Sequence, residues 1–283
     1  MTPALQTVFN IGPAEGEHID THRCRLIVDA GLRHLQYGVL DIPTMTLKAV
    51  GSYNARNLPP EEWMNEVPSL PFLDMGYAST HIFYNLAESV LVPDELYQPT
   101  TNASLLNLVH GDLRNGIQKE EAATVLGLRN VYRLPEGFHQ QLSRLFPGSR
   151  HSHLYTCLLR QLATPAIASG DHLHLFFYHH MFVALLIQRG RLQLVQSCPY
   201  DLPEDVSYQL LNMCEQLGIE ASLLPVTVVG SIDPASPLFV EVLKYFLEVG
   251  LGDDMGGISF SSAFTGYPTH YFQTFSLLAS CGS

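Results

Sequence analysis

The chain has 283 residues, 46% of them hydrophobic, and carries 15 basic against 27 acidic side chains for a formal net charge of −12. Charged residues make up only 15%, which excludes a disordered acidic tail-like protein, and the length suits two domains or two closely packed lobes. The arginines are scattered and the lysines are Lys48, Lys119 and Lys244, so nothing offsets the acidic surface, and nucleic acid is not an expected partner.

Cys24, Cys157, Cys198, Cys214 and Cys281 are far apart, odd in number and form no C-x-x-C, so reduced core thiols of a cytoplasmic protein are expected. Met1 to Gly12 has no basic region ahead of an apolar run, so no secretory signal is expected. The most apolar stretch, Leu173 to Ile187, is interrupted by His174, His179 and His180 and falls short of the roughly 18 apolar residues of a membrane span. These features together point to the cytoplasm.

Residues 1–19 are rich in Gly, Pro and Glu and form a lead-in or edge segment. Arg25 to Gly31, Leu35 to Leu40 and Met45 to Ser52 form a three-stranded meander. Pro59 and Pro60 open a short helix, Glu61 to Val67. Strands follow at Ser79–Asn85 and Ser89–Val92. Helices are expected at Ser104–Val109, Lys119–Leu126, Glu136–Phe146 and Ser152–Leu162, with a short strand at Asn130–Arg133.

The pattern then restarts. His172–Tyr178, Phe182–Gln188 and Leu192–Cys198 form a second meander. A helix opens at Pro203 and ends at Gly218, and Leu223–Val229 is a buried strand. Ser236-Pro237 starts a helix that Gly250 ends. Strands are expected at Ser259–Phe264 and Phe272–Leu278. Leu26-Ile27-Val28 lines up with Leu175-Phe176-Phe177, a similarity of pattern rather than identity. The expected organisation is a lead-in over 1–19, an N-terminal lobe over 20–165 and a C-terminal lobe over 166–283. The alternative is two unrelated α/β domains.

A duplicated meander lobe resembles the actin, Hsp70 and sugar-kinase superfold. The chain also resembles, over nearly its whole length, a bacterial family described as domain of unknown function 3822. The matching pieces are Ser89-Val90-Leu91-Val92-Pro93-Asp94-Glu95-Leu96, Leu134-Pro135-Glu136-Gly137-Phe138, Phe146-Pro147, His151-Ser152 and Leu158-Leu159, then Pro203-Glu204-Asp205-Val206-Ser207-Tyr208, Val229-Gly230-Ser231-Ile232 and Leu243-Lys244-Tyr245-Phe246. The resemblance implies an α/β fold of two actin-like (ribonuclease H-like) lobes, each a mixed sheet with a β-meander and packed helices. It lends fold more than function.

Actin-like ATPases hold nucleotide between the lobes, where each lobe offers an Asp-x-Gly hairpin to phosphate and Mg²⁺. Asp29-Ala30-Gly31 sits at that place in the first meander. In the second the aligned residues are Tyr178-His179-His180, with neither Asp nor Gly. The pattern is also cheap, since Asp74-Met75-Gly76 and Asp254-Met255-Gly256 share it, and a tight turn favours the pair without any ligand. Gly230, after a buried strand, stands where the resemblance places the adenosine. The candidate nucleotide residues are thus Asp29, Gly31 and Gly230, with ATP and magnesium disfavoured as cofactors. The acidic turn Asp253 to Gly257 is expected to be an exposed loop.

His172 and His174 face one side of a strand and could share a metal, but no third ligand is placed by spacing, so no metal is expected. His153 and Cys157 lie one helical turn apart, a generic pair in which a core-facing Cys is the better reading. No G-x-S-x-G, H-E-x-x-H or G-x-x-x-x-G-K-[ST] occurs. The sequence therefore leans towards a non-catalytic or degenerate actin-like protein that binds a protein partner, or a second copy, through a sheet edge or the cleft. The alternatives are a nucleotide-binding ATPase or kinase and a metal-binding module.

Overall fold

A computed structural model describes residues 4–55, 58–112, 116–123, 126–162, 170–253 and 257–281. The chain divides into two units. Unit 1 comprises Met1–Gln161, Gly257–Thr265 and Leu278–Ser283, and unit 2 comprises Leu162–Gly256 and Gly266–Leu277.

In unit 1, β1 (Gln6–Ile11) is followed by the meander β2 (Cys24–Ala30), β3 (His34–Asp41) and β4 (Thr46–Asn54). Helix α1 (Pro60–Trp63) runs into a 3-10 segment at Met64–Ser69, and β5 (Ser79–Tyr84) returns to the sheet. A separate three-stranded sheet, in the order β6-β8-β7, consists of β6 (Ser89–Pro93), β7 (Gly116–Ala123) and β8 (Leu128–Pro135), with α2 (Asn102–His110) between β6 and β7. The unit's first stretch then finishes with α3 (Glu136–Leu145), β9 (Arg150–His153) and α4 (Leu154–Leu162).

Unit 2 restarts with β10 (His172–Phe177), β11 (Met181–Gln188) and β12 (Arg191–Pro199), then α5 (Pro203–Leu217), β13 (Val226–Gly230), α6 (Pro237–Leu243) and β14 (Val249–Leu251). Strand β15 (Ser259–Phe260) rejoins β4 of unit 1, and α7 (Gln273–Ser280) closes the chain.

The duplication is present in the topology. The main sheet of unit 1 runs β1-β4-β3-β2-β5-β9 and that of unit 2 runs β12-β11-β10-β13-β14. In both, an antiparallel meander is extended from its first strand by two parallel strands, β2-β5-β9 and β10-β13-β14. Strands with a parallel neighbour are buried on both faces, and this fits the largely buried β2 and β10. One face of the first sheet buries Leu26, Val28, Ile82 and Tyr84 against Trp63, Phe138 and Leu142. The matching face of the second buries Leu175, Phe177, Val226 and Val228 against Val206, Leu210 and Val242.

Caps follow the sequence. Gly218 ends α5 in the left-handed region, at φ 65° and ψ 36°. The Ser236 hydroxyl accepts the Phe239 N–H at the start of α6, and Pro237 supplies its first turn. The lead-in contributes an edge strand, β1, antiparallel to β4.

Four elements differ from expectation. Lys119-Glu120-Glu121-Ala122-Ala123 has helical propensity, yet it forms β7, because Ile117, Lys119 and Glu121 lie opposite Leu134, Tyr132 and Asn130 of β8. Helix α6 stops at Leu243, and Gly250 lies inside the edge strand β14. The last expected strand is helix α7. Gln273 to Ala279 are buried on every side, so no helical polarity period marks them. The Ser152–Leu162 helix begins at Leu154, after β9.

The cysteines also depart from expectation. Cys157 and Cys281 are joined in a disulfide with their Cα atoms 5.7 Å apart, while Cys24, Cys198 and Cys214 are free and buried. A separation of 124 residues leaves no local spacing from which the pair could be read. No helix among the described residues is long and apolar enough to cross a membrane.

Candidate functional site

The carboxyl ends of β2, β5 and β9 carry Asp29, Tyr84 and His153, and in open α/β sheets such ends are where ligands bind. The β2–β3 hairpin closes with the Gly31 N–H donating to the His34 carbonyl at 3.1 Å. Asp29 is fully buried, and its Oδ1 lies 3.3 Å from His34 Nε2. The same ring nitrogen faces Asn85 Nδ2 at 3.3 Å. Gly31 is required by packing. A Cβ there would come within 2.2 Å of His34 Cε1, so the imidazole lies over the glycine where a phosphate hairpin keeps open backbone. The Trp63 indole N–H donates to the Leu32 carbonyl at 3.1 Å and fixes the tip of the turn.

The equivalent hairpin of unit 2 closes with the Tyr178 N–H donating to Met181 O at 2.8 Å. Beside it, the Ser231 N–H donates to Phe177 O at 2.8 Å, as the Asn85 N–H donates to Ala30 O at 2.9 Å in unit 1. These bonds set the internal correspondence: Gly31 matches Tyr178, Asp29 matches Phe176 and Tyr84 matches Gly230. The alignment expected from the sequence, with Tyr178 opposite Asp29, is therefore two residues out of register, because apolar runs carry no marker of position. Tyr178 is buried, whereas His179 and His180 are exposed.

Gly230 has φ +93°, and a Cβ there would meet the Phe177 carbonyl oxygen at 2.2 Å. The close approach of β13 to β10 thus demands glycine whatever else binds nearby. Asp254, Met255 and Gly256 of the acidic turn lie outside the described residues. Asp253 Oδ1 accepts from the Thr269 hydroxyl at 2.7 Å.

A polar relay that sequence reasoning does not find lies on the face of the first sheet that α3 covers, where Tyr84 packs beside Phe138. Lys119 Nζ is 3.4 Å from His139 Nε2. The Tyr84 hydroxyl meets Nδ1 of both His139 and His151, the latter at 2.6 Å, and His151 Nε2 is 3.0 Å from Ser149 Oγ. An ammonium only donates, so His139 accepts at Nε2 and carries its proton on Nδ1. It then donates to Tyr84, Tyr84 to His151, and His151 to Ser149. One proton arrangement satisfies the whole chain.

Burial, then the nearby His139 and Lys119, pushes His151 down to about 4, which keeps the relay's imidazole neutral. Beside it, Glu121 accepts from Tyr132 at 2.7 Å and from the His153 N–H at 2.9 Å, and burial raises its pKa despite those bonds. The H-x-H spacing of His151 and His153 was the available signal, but its partners on β5, β7 and α3 come from distant sequence.

His172 and His174 do share a face, with ring centroids 4.4 Å apart. His172 Nε2 is 2.8 Å from Thr227 Oγ1, and burial pushes His174 down to about 3. No group of three or more His, Cys, Asp or Glu that could hold a metal ion occurs among the described residues. Cys157, bonded to Cys281, has no thiol to offer His153.

No curated protein matches the sequence. Among solved structures, a Bacteroides thetaiotaomicron VPI-5482 protein with actin-like ATPase fold and unknown function matches with a TM-score of 0.74 at 16% identity, covering 93% of this chain and 99% of that one. The PilM-PilN type IV pilus biogenesis complex matches with a TM-score of 0.56 at 11% identity, covering 90% and 98%. These likenesses establish the actin-like ATPase fold. The family model described as "Protein of unknown function (DUF3822)" matches residues 14–249, and with most of its length so matched the chain belongs to that family.

Proposed function

We propose that this protein acts by binding a protein partner on an actin-like frame whose nucleotide machinery is incomplete. The observation that carries the reading is the unit 2 hairpin: Phe176 stands where unit 1 has Asp29, and Tyr178 stands where it has Gly31. A bulky turn without glycine cannot bring backbone N–H groups onto a phosphate. In unit 1 the His34 imidazole over Gly31 works in the same direction. The likeness in fold to a complex of PilM with PilN supports a partner-binding role on such a frame.

The test is MgATP binding by calorimetry together with steady-state hydrolysis, for wild type and Asp29→Asn. The expected result is neither binding at millimolar nucleotide nor turnover. Sustained Mg²⁺-dependent hydrolysis that Asp29→Asn abolishes would overturn the reading. It would establish the second one, in which Asp29 organises the metal, Gly31 meets the phosphate and Gly230 lies by the base. The partner half fails if the protein, purified at native abundance from the cells that make it, runs at the mass of a lone chain.

A further inference from the structure

The amino ends of β2, β5 and β9 build a second site, at the opposite end of these strands from Asp29. Arg25 is paired with Ser79, and His81 with Arg150, in the parallel registers. Arg25, Ser79, Thr80, His81 and Arg150 line a pocket of about 110 Å³. Among the described residues, no carboxylate comes within ion-pair distance of either guanidinium. This is notable in a chain with 27 acidic side chains and 15 basic ones, where a counter-ion is easily supplied.

Arg25 is held in place rather than neutralised. Its Nη1 donates to the Ala279 carbonyl at 3.1 Å and its Nε to Ser79 Oγ at 3.4 Å. Ala279 is two residues from Cys281, which the disulfide fastens to Cys157 of α4. His81 is buried, with Nε2 3.0 Å from Ser152 Oγ, and its Nδ1 is buried without a hydrogen-bond partner. Burial and then Arg150 lower the Arg25 pKa, and burial followed by the two arginines pushes His81 down to about 4. The orphaned imidazole nitrogen is buried, and the two guanidinium groups beside it have no carboxylate partner among the described residues, so one anion would give all three a partner.

We propose that this pocket binds a phosphate-sized oxyanion, with Arg25 and Arg150 supplying charge-assisted bonds and Ser79, Thr80 and His81 completing the hydrogen-bonding shell. Arginine favours such ligands because its planar fork matches tetrahedral oxyanions. The volume corresponds to a few waters at about 30 Å³ each, enough for one phosphoryl group but not for a nucleoside attached to it inside the pocket. The ligand is either free phosphate or the terminal phosphoryl group of a larger molecule. This site is independent of the hairpin at Asp29, so its test stands apart from that of nucleotide turnover.

The experiment is calorimetry and thermal melting of the full chain with inorganic phosphate and, separately, with phenyl phosphate, each against sodium chloride at matched ionic strength. Both phosphates should raise the melting temperature above the chloride control. Binding of phenyl phosphate as tight as that of free phosphate or tighter assigns a phosphoryl end group; much weaker binding assigns the free ion. Arg150→Gln is the clean variant, because that side chain is exposed and no hydrogen bond of it is found among the described residues. It should weaken binding roughly tenfold or more with unchanged melting in chloride. Arg25→Gln should do the same, with some loss of stability through Ala279. An unchanged melting temperature at millimolar phosphate, or binding that Arg150→Gln leaves intact, would overturn the proposal.

Discussion

The hairpins that cap the first strands of the two units close with the same backbone bond around different contents. In unit 1 a histidine ring rests on a glycine, and a buried aspartate stands beneath it. In unit 2 a buried tyrosine fills the glycine's position and a phenylalanine the aspartate's. One position along the sheet the assignment reverses, with Tyr84 in unit 1 and Gly230 in unit 2. Strand pairing and a three-residue turn are all the duplicated fold asks of these places. Ligand chemistry is a separate demand, which strand pairing and the turn do not themselves impose.

The largest break in this comparison should come at Gly230. Its added Cβ would meet backbone, the Phe177 carbonyl at 2.2 Å, and φ is +93°. Gly230→Ala should cost about 3 kcal/mol or more in urea unfolding followed by circular dichroism, from strain and overpacking together. A cost below about 1 kcal/mol would mean that β13 can draw back from β10 and that the close approach is not required.

Next is the disulfide, which closes a loop of 124 residues. Cys157→Ala should cost roughly 2–4 kcal/mol, the usual range for a native disulfide and below the roughly 5 kcal/mol that loop entropy alone gives for so long a loop. Trp63, the sole tryptophan and fully buried in unit 1, gives a fluorescence signal for that unit alone. Thiol titration of the unfolded, unreduced protein should count Cys24, Cys198 and Cys214 and no others. A count of all five would show that the pair is reduced in solution.

Gly31→Ala should cost less, about 1–2 kcal/mol, because the atom it meets belongs to a side chain that can turn away. His34→Ala should recover part of that cost in the double variant. Strict additivity of the two would show that the ring does not lie on Gly31.

The smallest and most graded difference is in pH dependence. Burial pushes His81 and His151 down to about 4 and His153 to about 3 in unit 1, and His174 to about 3 in unit 2. Each is neutral in the fold and takes up a proton when unfolded below its ordinary value of 6.5. The stability they contribute is therefore present above 6.5 and lost as pH falls towards their folded values. Glu121, raised by burial, works against this trend in unit 1 at the acid end. Between about pH 7 and about pH 5 the urea midpoint read by Trp63 should fall faster than that read by circular dichroism. Parallel lines would show that the four strongly lowered histidines, three in unit 1 and one in unit 2, do not set the pH dependence of stability.

Much of the frame was legible in the sequence. Both meanders, α3, α5, the Gly218 cap and the Ser236 cap follow from apolar runs, breakers and cap residues, whose rules act over a few positions. What was illegible depends on distance or on enclosure. Lys119 to Ala123 pairs with β8 against its helical propensity, and α7 is buried all round and shows no polar face. The hairpin at Asp29 was visible as a motif, but the His34 ring that covers Gly31 was not, since nothing in His34's spacing says where its ring turns. The Arg25–Arg150 pocket was invisible for a similar reason. Its residues lie at three places along the chain, and only the parallel pairing of β2, β5 and β9 makes them neighbours.

The bond between Cys157 and Cys281 also has a mechanical meaning. All of unit 2 lies between these two residues in the chain, while both cysteines belong to unit 1. A stretching force applied at the two termini would pass through the sulfur–sulfur link and leave the enclosed unit without load. Reduction would release the enclosed segment to extend by on the order of 400 Å, since a fully extended chain spans at most about 3.3–3.6 Å per residue. A protease that cuts once inside the enclosed stretch would likewise leave a single covalent molecule on a non-reducing gel and two fragments on a reducing one.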